Sequence, residues 1–104
     1  MAERTLQNCR ILVVEDEYML ADELRTELAD AGAVVLGPVG SLEEAVNLIS
    51  EEQDVDGAIL DVNLRGEKVY PAADQFLERG TSFVFATGYD QSAIPSRFEH
   101  VVRC

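Results

Sequence analysis

Asp61 stands directly after the apolar run Gly57-Ala58-Ile59-Leu60, and Glu15 and Asp16 stand directly after Ile11-Leu12-Val13-Val14. Thr87 follows a further run, Phe83-Val84-Phe85-Ala86. Short apolar runs rich in branched side chains read as strands buried on both faces, the kind found in a parallel sheet. Ligands of such sheets collect at the carboxyl ends of the strands, so Glu15, Asp16, Asp61 and Thr87 are expected on one edge. Carboxylates brought close raise one another's pKa unless a cation offsets their charge. Mg²⁺ suits a site made of a few carboxylates, backbone oxygen and water, and Asn63, two residues past Asp61, is placed to lend its backbone carbonyl. A carboxylate beside such an ion can attack a phosphoryl group and hold it as an acyl phosphate. Thr87 is then placed to donate its hydroxyl to a phosphoryl oxygen. One acid after a strand is as readily a helix N-cap or a first-turn charge answering the helix dipole, and Glu17 is read that way. Convergence of Glu15, Asp16, Asp61 and Thr87 on matching strand ends favours a site.

The elements that must position these residues alternate strictly. Leu20, Leu24, Leu28 and Ala31 recur at helical spacing, which predicts a helix over roughly 17–31 with Gly32 as its C-terminal cap. Ala33-Val34-Val35-Leu36 reads as a second strand, broken by Gly37-Pro38-Val39-Gly40. Ser41 and Glu44 have the form of a capping box for a second helix whose inner face is Leu42, Ala45, Val46 and Ile49. After Asp61 comes a loop, Val62-Asn63-Leu64-Arg65-Gly66, and then a third helix with Pro71 in its first turn. Ala72, Ala73, Phe76 and Leu77 face inward, and Gly80 closes it. Pro95 interrupts the next helical stretch, so the fourth helix is expected to be short or poorly formed, and His100 to Cys104 read as a fifth strand. The pattern predicts a three-layer, flavodoxin-like α/β domain with a parallel five-stranded sheet of order 2-1-3-4-5.

The chain has 104 residues, room for one domain and one core. Its formal charge of −12 would repel nucleic-acid phosphates and anionic lipid, so neither is expected as a partner. No apolar stretch approaches the roughly 18 residues that cross a bilayer, and the first residues lack a signal-peptide pattern, which predicts a cytoplasmic protein. Cys9 and Cys104 have no neighbours at metal-ligand spacing and read as reduced, incidental thiols. His100, the one histidine, reads as a strand-edge residue.

Along its whole length the chain resembles a response-regulator receiver domain, the CheY-like fold. Ile11 to Glu17 match the acidic pair, Ile59-Leu60-Asp61-Val62-Asn63-Leu64 the phosphoacceptor, and Ala86-Thr87-Gly88 the switch hydroxyl. The run Phe85-Ala86-Thr87-Gly88-Tyr89 is similar to an alphaproteobacterial subfamily named for its Phe-Ala-Thr-Gly signature and reduced fourth helix. The resemblance implies Mg²⁺-dependent transfer to Asp61 from a phosphohistidine of a histidine kinase or histidine phosphotransfer protein. It implies signalling by conformational change to a downstream protein partner, with no catalysis beyond the domain's own phosphotransfer and dephosphorylation.

Two features depart from the family. Receivers carry a Lys followed by Pro at the end of strand five and finish with a fifth helix; neither lies in 1–104, and the only lysine, Lys68, follows strand three. A domain cut short at its C-terminus is the expected explanation, since a missing helix would leave an apolar face uncovered. The aromatic that usually sits on strand five is also absent, which leaves Tyr89 as the signalling aromatic. Two other functions fit parts of the pattern. A pseudo-receiver would dock partners without taking phosphate, and an aspartate-nucleophile phosphohydrolase would want a second Asp where Asn63 stands.

Overall fold

In a computed structural model the described residues are 6–64 and 66–86, Asn63 by its backbone alone. Thr87, Tyr89, His100 and the stretches expected to form a fourth helix and a fifth strand lie outside them. The elements run β1 (Arg10–Val14), α1 (Tyr18–Asp30), β2 (Val34–Val39), α2 (Leu42–Glu51), β3 (Gly57–Leu60), β4 (Asn63–Leu64), β5 (Glu67–Lys68), α3 (Tyr70–Arg79) and β6 (Ser82–Phe85). Four of the strands form a parallel sheet of order β2-β1-β3-β6, the expected 2-1-3-4 arrangement within the described residues.

Alternation along the buried strands divides the core in two. Leu12, Val14, Ala58 and Leu60 face α2 and α3, where Ala45, Ile49, Ala72, Ala73 and Phe76 close one cluster. Ile11, Val13 and Ile59 point the other way, onto Leu24 and Leu28 of α1. Both faces of the sheet are therefore covered, which is why β1 and β3 are continuously apolar.

The helix ends follow local chemistry. The Glu17 carboxylate accepts the Leu20 N–H at 2.9 Å, as its N-cap reading requires. Ser41 Oγ accepts the Glu44 N–H at 3.1 Å and donates to Glu44 Oε1 at 3.0 Å, so Glu44 reaches the cap hydroxyl. Gly80 ends α3 at φ 70°, in the left-handed region.

Arg79 ties the two helices on one face together. Its guanidinium donates to the carbonyl oxygens of Ile49, Glu52 and Gln53, capping the C-terminal end of α2. Arg79→Met is expected to lower stability by about 1–2 kcal/mol in urea denaturation, the worth of hydrogen bonds from a charged donor at a partly exposed site. Arg79→Lys should restore only part of it, because an ammonium cannot fork across several carbonyls.

Several sequence expectations need correction. Strand two does not break at Gly37-Pro38; β2 runs through both to Val39. It is an edge strand, where proline's missing N–H costs no ladder bond, and the register against β1 shifts between Leu12 and Val14 to absorb the irregularity. Gly37 sits at φ +86°, and a Cβ there would stand 2.8 Å from the Val39 nitrogen and 3.1 Å from the Val13 oxygen. Gly37→Ala should therefore destabilise by about 1–3 kcal/mol, readable as a lower urea midpoint with an unchanged slope.

Leu77 does not face inward. It is 65% exposed, because Ala72, Ala73 and Phe76 already fill the buried stripe and Leu77 lies a further 100° or so around the helix. The loop after Asp61 contains the antiparallel pair β4/β5, with Leu64 turned into the core. Cys9 is buried and disulfide-bonded, which corrects its reading as a free thiol. Sequence spacing says nothing about which distant groups approach within bonding distance.

Candidate functional site

Strand register brings the acids together. Val14 of β1 is the partner of Leu60 of β3, so Glu15 and Asp61 leave adjacent parallel strands side by side. The Asp61 N–H donates to the Val14 carbonyl at 2.8 Å, and the Glu15 N–H to Val39 at 2.9 Å. These bonds fix the chain just where each carboxylate begins. The chain leaves β1 for β2 on one side and returns to β3 on the other, so the pair occupies the point where the strand order reverses, the usual ligand position in this class of sheet.

Glu15, Asp16 and Asp61 each offer a carboxylate oxygen, and these oxygens lie within 4.8 Å of one another. Glu15 is buried, while Asp16 and Asp61 are half-buried. Glu15 Oε2 accepts the Glu17 N–H at 3.0 Å. Burial nonetheless pushes the Glu15 carboxyl up to about 7, against the lowering effect of that bond. The Asp61 charge, a hydrogen bond between the Glu15 and Asp61 side chains and the Asp16 charge all add to the rise. Burial and the neighbouring negative charges thus favour the protonated form of the Glu15 carboxyl.

Such a donor set fits a hard divalent cation. A cation among these oxygens would favour the ionised form of Glu15 by offsetting the repulsion that raises it. Asn63 lies in β4, two residues beyond Asp61 and paired with Lys68. Lys68 is exposed in the same hairpin.

The structure adds neighbours that the sequence did not mark. A cavity of about 380 Å³ adjoins Glu15 and Asp16 and is lined also by Tyr18, Asp22, Arg25 and Pro38. Arg25 Nη2 pairs with Asp22 Oδ1 at 2.7 Å at this mouth. Tyr18, Asp22 and Arg25 are spaced for one face of α1, which was a usable signal. Only the packed structure, with its shared cavity, shows that this face borders the acids.

No protein-family profile matches the chain, and no curated protein matches it. Solved structures do. The response regulator PhyR from Brucella abortus superimposes with a TM-score of 0.81 over 95% of this chain, at 14% identity, and the chain spans 50% of the PhyR chain. SdrG from Sphingomonas melonis Fr1 is 39% identical, with 88% of this chain and 77% of that one covered and a TM-score of 0.72. The BeF3-activated conformation of SdrG, from Pseudomonas melonis Fr1, matches at 35% identity over 97% of this chain and 82% of that one, with a TM-score of 0.65. The order of the parallel strands, the carboxylates at their switch point and a close relative covered over most of its length agree: this chain belongs to the response-regulator receiver domains.

Proposed function

We propose that this domain accepts a phosphoryl group on Asp61 from a phosphohistidine of a histidine kinase or histidine phosphotransfer protein and signals the change to a protein partner. The observation that carries this reading is the grouping of Glu15, Asp16 and Asp61 oxygens within 4.8 Å at the carboxyl edge of the sheet. Mg²⁺, held by Glu15, Asp16 and Asp61 with the Asn63 carbonyl, would offset charge on the equatorial phosphoryl oxygens. Asp61 supplies the nucleophile. One of its oxygens bonds to phosphorus as the phosphorus–nitrogen bond breaks, and the imidazole leaves with the electron pair. Glu15, buried and fixed by the Glu17 N–H, orients the carboxylate edge while adding no nucleophile of its own. Thr87, directly after Ala86, would donate to a phosphoryl oxygen, with Tyr89 as the signalling aromatic. The Phe85 to Tyr89 run supports placement in the Phe-Ala-Thr-Gly subfamily.

The BeF3-activated form of SdrG supports the reading, since BeF3 on a carboxylate has the shape and charge of a phosphoryl group. Incubation with acetyl phosphate and Mg²⁺ should give a mass increase of one phosphoryl group that hydroxylamine removes. A chain that takes no label under these conditions and binds no Mg²⁺ in the millimolar range would be a docking module instead.

A further inference from the structure

Asp61 is held from both of its chain neighbours by contacts that meet at one residue, one at its backbone and one at its ring. Leu60, before it, pairs with Phe85 of β6, and the Phe85 ring meets Tyr70 edge-on, with centroids 6.1 Å apart and planes at 86°. Val62, after it, accepts the Val69 N–H at 2.9 Å, and Val69 is bonded directly to Tyr70. Tyr70 opens α3 and is 51% exposed, so the junction of the two routes is on the surface. The ring contacts continue inward from Phe85 to Phe83 and from Phe83 to the buried Phe76, which anchors the strand end against α3.

We propose that Tyr70 is a positioning residue whose edge contact with Phe85 is remade when Asp61 carries a phosphoryl group, so that the state of Asp61 is displayed at the start of α3. The inference rests on Asp61 being the acceptor. A phosphoryl group adds negative charge and three acceptor oxygens beside Glu15 and Asp16, and the backbone at Asp61 must adjust to them. Any such adjustment pulls on Leu60 and Val62 together. Both connections end at Tyr70, which is half exposed.

The chain contains no tryptophan, so Tyr70→Trp places a single indole at this junction. With Mg²⁺ and beryllofluoride its emission maximum should shift, and adding Asp61→Asn should remove the shift. Leu77→Trp, further along the same helix, should not respond. By reciprocity, Tyr70→Ala should weaken beryllofluoride binding about two- to tenfold, the size of one aromatic pair, while Tyr70→Phe keeps the ring contact and the affinity. Fluorine NMR of bound beryllofluoride reads occupancy independently. A bound signal with no emission shift and unchanged affinity in Tyr70→Ala overturns this inference and leaves the acceptor role of Asp61 standing. An equal shift from Leu77→Trp also overturns it, by showing that the whole helix moves. Absence of a bound signal in the parent chain overturns the acceptor reading, and the role of Tyr70 falls with it.

Discussion

Asp61→Asn is expected to abolish labelling by acetyl phosphate in the presence of Mg²⁺, a loss of roughly 10³-fold or more, as for removal of a nucleophile elsewhere. The amide keeps the shape of the carboxylate and loses the nucleophilic oxygen. Asp22 is the natural control, because it borders the same cavity but belongs to the Arg25 pair on α1. Asp22→Asn should label like the parent. Loss of labelling in Asp61→Asn will not reflect unfolding, because that change takes a negative charge away from buried Glu15, one of the causes of its raised pKa. The variant should melt at or above the parent temperature at pH 8. Intact protein mass measured before and after hydroxylamine decides the matter, and labelling of Asp61→Asn at the parent level would sink the acceptor assignment.

Stability in the absence of divalent cations should fall between pH 4.5 and about 7, the interval between the ordinary glutamate value and that of Glu15. The sign follows from proton binding. Across this interval the folded chain holds a proton on Glu15 that the unfolded chain has released, so raising the pH favours unfolding. The full contribution is present below pH 4.5, and above pH 7 this dependence is flat. Its size is roughly 3 kcal/mol, on the scale that relates pKa displacement to free energy. Millimolar Mg²⁺ should restore much of the loss at pH 8, where Glu15 is ionised, and little at pH 5, where Glu15 holds its proton. Glu15→Gln should remove the slope, raise stability at pH 8 and reduce the response to Mg²⁺. Urea denaturation at the two pH values, with and without Mg²⁺, measures all of this. An equal Mg²⁺ increment at pH 5 and pH 8 would show that the cation binds elsewhere.

These two expectations separate chemistry from its setting. Asp61 is named by its position after a strand, and any receiver-like chain would suggest it. Glu15 matters through an environment that no residue type announces, since an acid after a strand is equally a solvated helix cap, as Glu17 proves to be.

Local rules made much of the fold legible in the amino-acid order. Four apolar runs, the Ser41–Glu44 cap, the Gly80 stop and the strict alternation of elements follow from nearest-neighbour sterics and hydrogen bonding. Even the order of the described parallel strands follows, because right-handed crossovers leave few alternatives. Where local rules misled, a tertiary partner overrode them. Pro38 stays in β2 because that strand is an edge, Leu77 is turned outward because Phe76 fills the inner stripe, and Leu64 folds inward to complete a core that the loop reading left open.

By itself, then, the sequence placed Glu15, Asp16 and Asp61 at the ends of neighbouring strands, and so on one edge of the sheet. Tertiary structure decided what those residues are like there. Pairing Val14 with Leu60 sets Glu15 against Asp61, burial raises the Glu15 pKa, and Leu60 and Val62 both lead to Tyr70. The physical reason is that charge, proton affinity and mechanical connection depend on distance and solvent exclusion, which strand register creates between residues far apart in the chain.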